Sequence, residues 1–179
     1  MISEILATAH KHIHHAADKL DDYRQFVDPL SNGDTAQWAA GLMYAYTKQT
    51  VDVRDALVGC AVSSGDLDRK MSRAYKKYGN GKYRKGNQKI LNSEDYWRES
   101  FASCDQDIQD MYDEMANTSH AFFDMDGWED IVSDNYNKNK ALVDSQWQFG
   151  LTKWSQGVYF DAGMFYGNAW RVLVTGALY

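Results

Sequence analysis

The chain has a single proline, Pro29, in 179 residues. Folds made of many short strands spend prolines and glycines on frequent turns, so this scarcity favours long helices. Cysteine is scarce too: Cys60 and Cys104 are the only two, and they admit either two free core thiols or one disulfide. No run of 18 apolar residues occurs, so no segment is expected to span a membrane. The N-terminal MISEILATAHKHIHHAADKL lacks the basic-then-apolar order of a signal peptide and is expected to be an amphipathic helix. Export would require a leader already removed.

What is present fits one domain with a real core. Hydrophobic residues make up 44% of the chain, well above disordered compositions. The periodicity predicts an all-α bundle of about five helices. Ile2, Ile5, Leu6, Ala9, Ile13, Ala16, Leu20, Tyr23 and Val27 form one stripe, giving a helix over about 3–27. DPLSNGD at 28–34 breaks the chain, and Asp34 is the expected N-cap of a second helix over about 34–62. Its seam is Trp38, Leu42, Ala45, Val53, Ala56 and Cys60, interrupted by Gln49. Residues 63–77 suit a short helix, followed by a loop or hairpin around Gly79-Asn80-Gly81. The third main helix starts at NSED, residues 92–95; Trp97, Phe101, Cys104, Ile108, Met111 and Met115 repeat with helical spacing and place Cys104 in the core. Further helices are expected over about 127–147 and 151–175, the last with Leu151, Trp154, Val158, Ala162, Phe165, Ala169 and Val172 inward.

AAGLMYA at 39–45 matches DAGMFYG at 161–167. In each, small residues four apart (Gly41 and Ala45, Gly163 and Gly167) make a flat strip that another helix can approach closely. The repeat suggests two similar helical halves joined by a basic Gly/Lys/Tyr-rich linker, residues 63–92, within a single domain over 1–179.

Charge is segregated. Residues 69–89 contain Arg69, Lys70, Arg73, Lys76, Lys77, Lys82, Arg84, Lys85 and Lys89 with no acid, interleaved with Tyr75, Tyr78 and Tyr83. Residues 93–134 carry a net charge of −12, with Arg98 their only Lys or Arg. A basic stretch with aromatic rings suits phosphate contact and base stacking, but the chain as a whole is at −6, and nucleic-acid binders are usually basic throughout. The two remaining readings are a clasp, within or between molecules, and a solvated loop opposite a solvated helix face. The acidic half of such a clasp is Asp105, Asp107, Asp110, Asp113 and Glu114.

No catalytic constellation assembles from the pattern, and no cofactor is implied. His10, His12, His14 and His15 lie at or outside the edge of the first apolar stripe, and no Glu-x-x-His motif accompanies them. His120 is a partner for them only by assumption. The acids from Asp105 to Glu114 have the composition of a calcium loop, but they lack its central glycine and lie within a helical pattern. DMDGWED at 124–130 is explained equally by a turn that caps the next helix. GNG at 79–81 is too short for a phosphate loop. Neither cysteine has a histidine placed beside it by pattern.

Across 93–176, Cys104 before an acidic amphipathic helix, then Gly157, Tyr159, Ala162, Gly163 and Gly167 near the end, resemble small secreted helical proteins abundant in ciliates. The resemblance implies export, a Cys60–Cys104 bridge and a glycan on Asn117 of the Asn117-Thr118-Ser119 sequon; it implies no activity. The leading expectation is therefore a non-enzymatic secreted or lumenal protein that contacts other proteins or itself through the basic and acidic segments. The alternatives are a helical carrier of an apolar or aromatic ligand, prompted by six Trp and twelve Tyr, and a nucleic-acid or polyanion binder through residues 69–89. Cytoplasmic residence is the alternative location.

Overall fold

In the computed structural model the described residues are 34–47, 51–62, 65–79, 82, 85, 89 and 92–178. They form seven helices and no strands: α1 Asp34–Tyr46, α2 Val51–Cys60, α3 Gly65–Gly79, α4 Glu94–Glu99, α5 Gln106–Phe123, α6 Trp128–Ser155 and α7 Tyr159–Thr175. The protein is an all-α bundle. The expected helix over 3–27, its histidines and Gln49 lie outside the described residues.

The centre of the fold is the crossing of α1 with α7, which run side by side in the same direction. Both are rich in alanine and glycine, so their backbones come together. A Cβ built on Gly41 would stand 1.9 Å from the Phe160 carbonyl oxygen, and one built on Gly163 would stand 1.8 Å from that of Trp38. The two contacts exchange when 39–45 is laid on 161–167, so the sequence repeat corresponds to a quasi-symmetric helix pair. Large side chains close the crossing on both sides. Trp38 packs on Trp97 and Tyr166, and Trp147 packs edge-on against Tyr166.

α6 returns antiparallel to α7 through the turn at Gln156–Val158, where Gly157 takes a left-handed conformation at φ 73°. Asn135 Nδ2 on α6 donates to the Leu173 carbonyl at 3.0 Å, and Asn139 Nδ2 donates to that of Gly176 at 3.3 Å. These side chains satisfy carbonyls that the end of α7 leaves without helical partners. α6 is bent at Asn139, whose φ and ψ are −119° and 22°. Gly127, also left-handed, sits at the N-cap of α6, as the turn reading of DMDGWED predicts.

Four expected helices have different bounds; the one expected over 127–147 runs on to Ser155 as α6. The second divides into α1 and α2. Leu57 is fully buried and Ala56 exposed, so Leu57 takes the place of Ala56 on the seam between Val53 and Cys60, which both pack against the core. Thr47 Oγ1 bonds back to the Met43 carbonyl at 2.7 Å and helps end α1. The third divides into α4 and α5, although every residue of its stripe is buried. The turn at 100–103 is held by i to i+3 backbone bonds such as Cys104 N–H to the Phe101 carbonyl, so near-helical spacing persists where the helix does not. The last helix starts at Tyr159; Leu151 and Trp154 belong to α6, and Val158 is exposed in the turn.

Candidate interaction surface

Much of the basic stretch is helix rather than loop. Leu67, Met71 and Ala74 are buried at helical spacing along α3, which turns the basic residues outward. Asp66 and Asp68 in the first turn and Lys76 and Lys77 in the last complement the helix dipole. Arg69, Arg73 and Lys76 are exposed, and Lys70 and Lys77 half-buried. Arg69 pairs with Asp66 one turn back. Lys70 is engaged within the chain: its Nζ donates to the Asn92 carbonyl at 2.9 Å and lies 3.9 Å from the centre of the Tyr96 ring. Lys82 and Lys85 are exposed, and the Lys85 N–H closes a turn on the Lys82 carbonyl at 3.0 Å. Lys89 is half-buried and its carbonyl accepts from Ser93 Oγ. Arg84 and Tyr83, the expected hairpin at Asn80-Gly81, and the side chains of Tyr75 and Tyr78 lie outside the described residues.

The acidic residues line the outer side of α5. Ile108, Met111, Tyr112 and Met115 are buried, leaving Asp105, Asp107, Asp110 and Glu114 exposed and Asp113 half-buried. Asp105 occupies the N-cap position, and Gln106 Nε2 donates to Asp110 at 2.7 Å. Asp113 is paired with Arg98 of α4. Among the described residues, Arg73, Lys77, Lys82, Lys85, Asp107, Asp110 and Glu114 form no ion pair. The fold therefore leaves much of the charge segregation on the surface without neutralising it locally.

Between α4 and α5 lies an open hollow of about 420 Å³. Asp95, Glu99 and Asp113 are among its lining residues, with Phe101 and Tyr112, whose rings are 5.6 Å apart. A second hollow of about 360 Å³ shares Asp95, Arg98, Tyr112 and Asp113 with the first and extends to Asn117 and His120. Sequence reasoning did not single out Asp95, Arg98 or Glu99 as site residues. The available signal was Arg98, the one Lys or Arg in a strongly acidic stretch.

Cys60 and Cys104 form a disulfide with their Cα atoms 5.0 Å apart. It ties the end of α2 to the turn between α4 and α5. Ser103 Oγ donates to the Cys60 carbonyl at 2.9 Å, and Val62 N–H donates to the Ser100 carbonyl at 3.0 Å, beside the bridge. Asn117 is exposed on α5, while Ser119 of the same sequon is buried and donates to the Met115 carbonyl at 2.8 Å. Among the described residues no three His, Cys, Asp or Glu side chains come together as a metal site, and no helix is long and apolar enough to cross a membrane. The tryptophans largely fill the core: Trp38, Trp97, Trp147, Trp154 and Trp170 are all buried.

Comparison with protein-family models, with curated proteins and with solved structures finds no match to this chain.

Proposed function

We propose that this chain is a non-enzymatic protein that works through contact with protein surfaces, its own copies first among them, in a secreted or lumenal setting. The observation that carries the reading is the exposed basic face of α3 with Lys82 and Lys85, set against the exposed acidic face of α5 on the same molecule. Opposite charges held apart on one surface favour contacts between copies, and they set rate and register more than affinity. Burial of most tryptophans among other aromatic rings supports a packing role for them. Export is supported by the Cys60–Cys104 bridge and by the exposed Asn117, both at home in an oxidising, glycosylating compartment.

The test is the mass of the non-reduced protein by light scattering across an ionic-strength series. Screening shortens the reach of surface charge from about 10 Å at 0.1 M to about 3 Å at 1 M salt. The expected result is a mass several times the 20.5 kDa of one chain at low salt, falling as salt rises. A protein that stays monomeric throughout, and instead binds RNA or another polyanion with steep salt dependence, overturns the reading in favour of a polyanion binder.

A further inference from the structure

We propose that the hollow between α4 and α5 receives the basic segment of a second copy of this chain, with Lys82 and Lys85 entering beside Asp95 and Glu99. The inference rests on the reading of self-association above and names its two surfaces.

The receiving side is built for ammonium groups. Asp95 and Glu99 are exposed and four residues apart, so one helix face carries both. Neither forms an ion pair among the described residues, whereas Arg98 is drawn onto Asp113. The hollow therefore has two uncommitted carboxylates, lies over the buried rings of Phe101 and Tyr112, and includes Arg98, whose charge Asp113 offsets. At about 420 Å³ the hollow falls within the size range of sites that hold small ligands or long side chains.

The donor side is equally uncommitted. Lys82 and Lys85 are exposed, joined by one backbone turn, and form no ion pair among the described residues. The chain's own α3 meets α4 on a different flank. Its Lys70 reaches Tyr96, which lies roughly 100° around the helix from Asp95. Among the described residues no part of α3 lines the hollow, which leaves it to a neighbouring molecule. Because donor and acceptor are different surfaces, each copy that gives its lysines keeps its own hollow for the next. This is a head-to-tail contact that builds rings or open chains.

The experiment uses the full-length, non-reduced chain at low salt, followed by light scattering and sedimentation. Four samples are compared: wild type, Asp95→Lys with Glu99→Lys, Lys82→Glu with Lys85→Glu, and an equimolar mixture of the two reversed proteins. The expected result is that each reversed protein alone associates roughly a hundredfold more weakly than wild type, since like charges now meet across the contact. The mixture regains association, because the acidic segment of one variant fits the basic hollow of the other. If the lysine pair at 95 and 99 impairs folding by circular dichroism, Asp95→Asn with Glu99→Gln gives the same direction with a smaller loss. Wild-type association that survives reversal at 95 and 99, and is lost instead on reversal of Asp107, Asp110 and Glu114, overturns this inference and leaves the proposed function standing. Wild type that never associates overturns this inference together with the self-association it rests on.

Discussion

Replacing Gly163 by alanine tests the central helix crossing. The added methyl would stand 1.8 Å from the Trp38 carbonyl oxygen and 2.9 Å from the Leu42 nitrogen. An ordinary carbon–oxygen contact is about 3.3–3.6 Å, so α1 and α7 must separate by roughly 1.5 Å. Both groups struck are backbone, which no rotamer change can move aside. Alanine contributes about 1 kcal/mol of helix propensity over glycine. Overpacking costs about 1–3 kcal/mol and sometimes more, and separating the helices also loosens Trp38, Leu42 and Phe160. The net expectation is destabilisation by about 2–4 kcal/mol, or roughly 4–16 °C in Tm for a chain of this size. Gly41→Ala should behave alike, since its Cβ would lie 1.9 Å from the Phe160 carbonyl oxygen. Gly59→Ala in α2 is the control: its Cβ would meet nothing within 4 Å, so it should stabilise by up to about 1 kcal/mol. Urea unfolding with the disulfide intact, followed by tryptophan fluorescence, measures all three. If Gly163→Ala and Gly41→Ala unfold at the same urea concentration as Gly59→Ala, the close crossing of α1 and α7 is refuted.

The Cys60–Cys104 bridge spans a sequence separation of 44, and the chain-entropy model assigns it about 4 kcal/mol. Unfolding midpoints with and without reductant should differ accordingly; coincident midpoints would show that the bridge adds nothing. Asn135→Ala leaves carbonyls at the end of α7 without their donor, and a loss of about 1–2 kcal/mol in urea is expected. Burial pushes the Tyr46 phenol above its ordinary value of 10.0, with Ser119 and Arg171 opposing the rise. A raised folded value means this stability is present below about pH 10 and lost as pH rises through the folded value. Tyr46→Phe should therefore flatten the alkaline fall in stability; an unchanged fall would place it in other groups.

The sequence by itself determined the helical class, the buried stripes and the charge map. Apolar spacing of three and four is a local property, and it located Trp97, Phe101, Cys104, Ile108, Met111 and Met115 in the core although no single helix contains them all. The repeat of 39–45 in 161–167 was legible as two flat helix strips. That the strips face each other depends on contacts between residues more than a hundred positions apart, which no local pattern encodes. Tertiary contacts reinforce the break at 100–105, where the Ser103 bond to Cys60 and the disulfide add to local turn bonds, whereas the turn at Gly127 was legible in DMDGWED. Tertiary structure alone joined Cys60 to Cys104, which spacing left open. The hollow at Asp95 and Glu99 escaped the sequence for the same reason. Its carboxylates come from α4 and α5, its rings from the turn at Phe101 and from Tyr112, and only packing brings a helix face and a neighbouring helix together around one space.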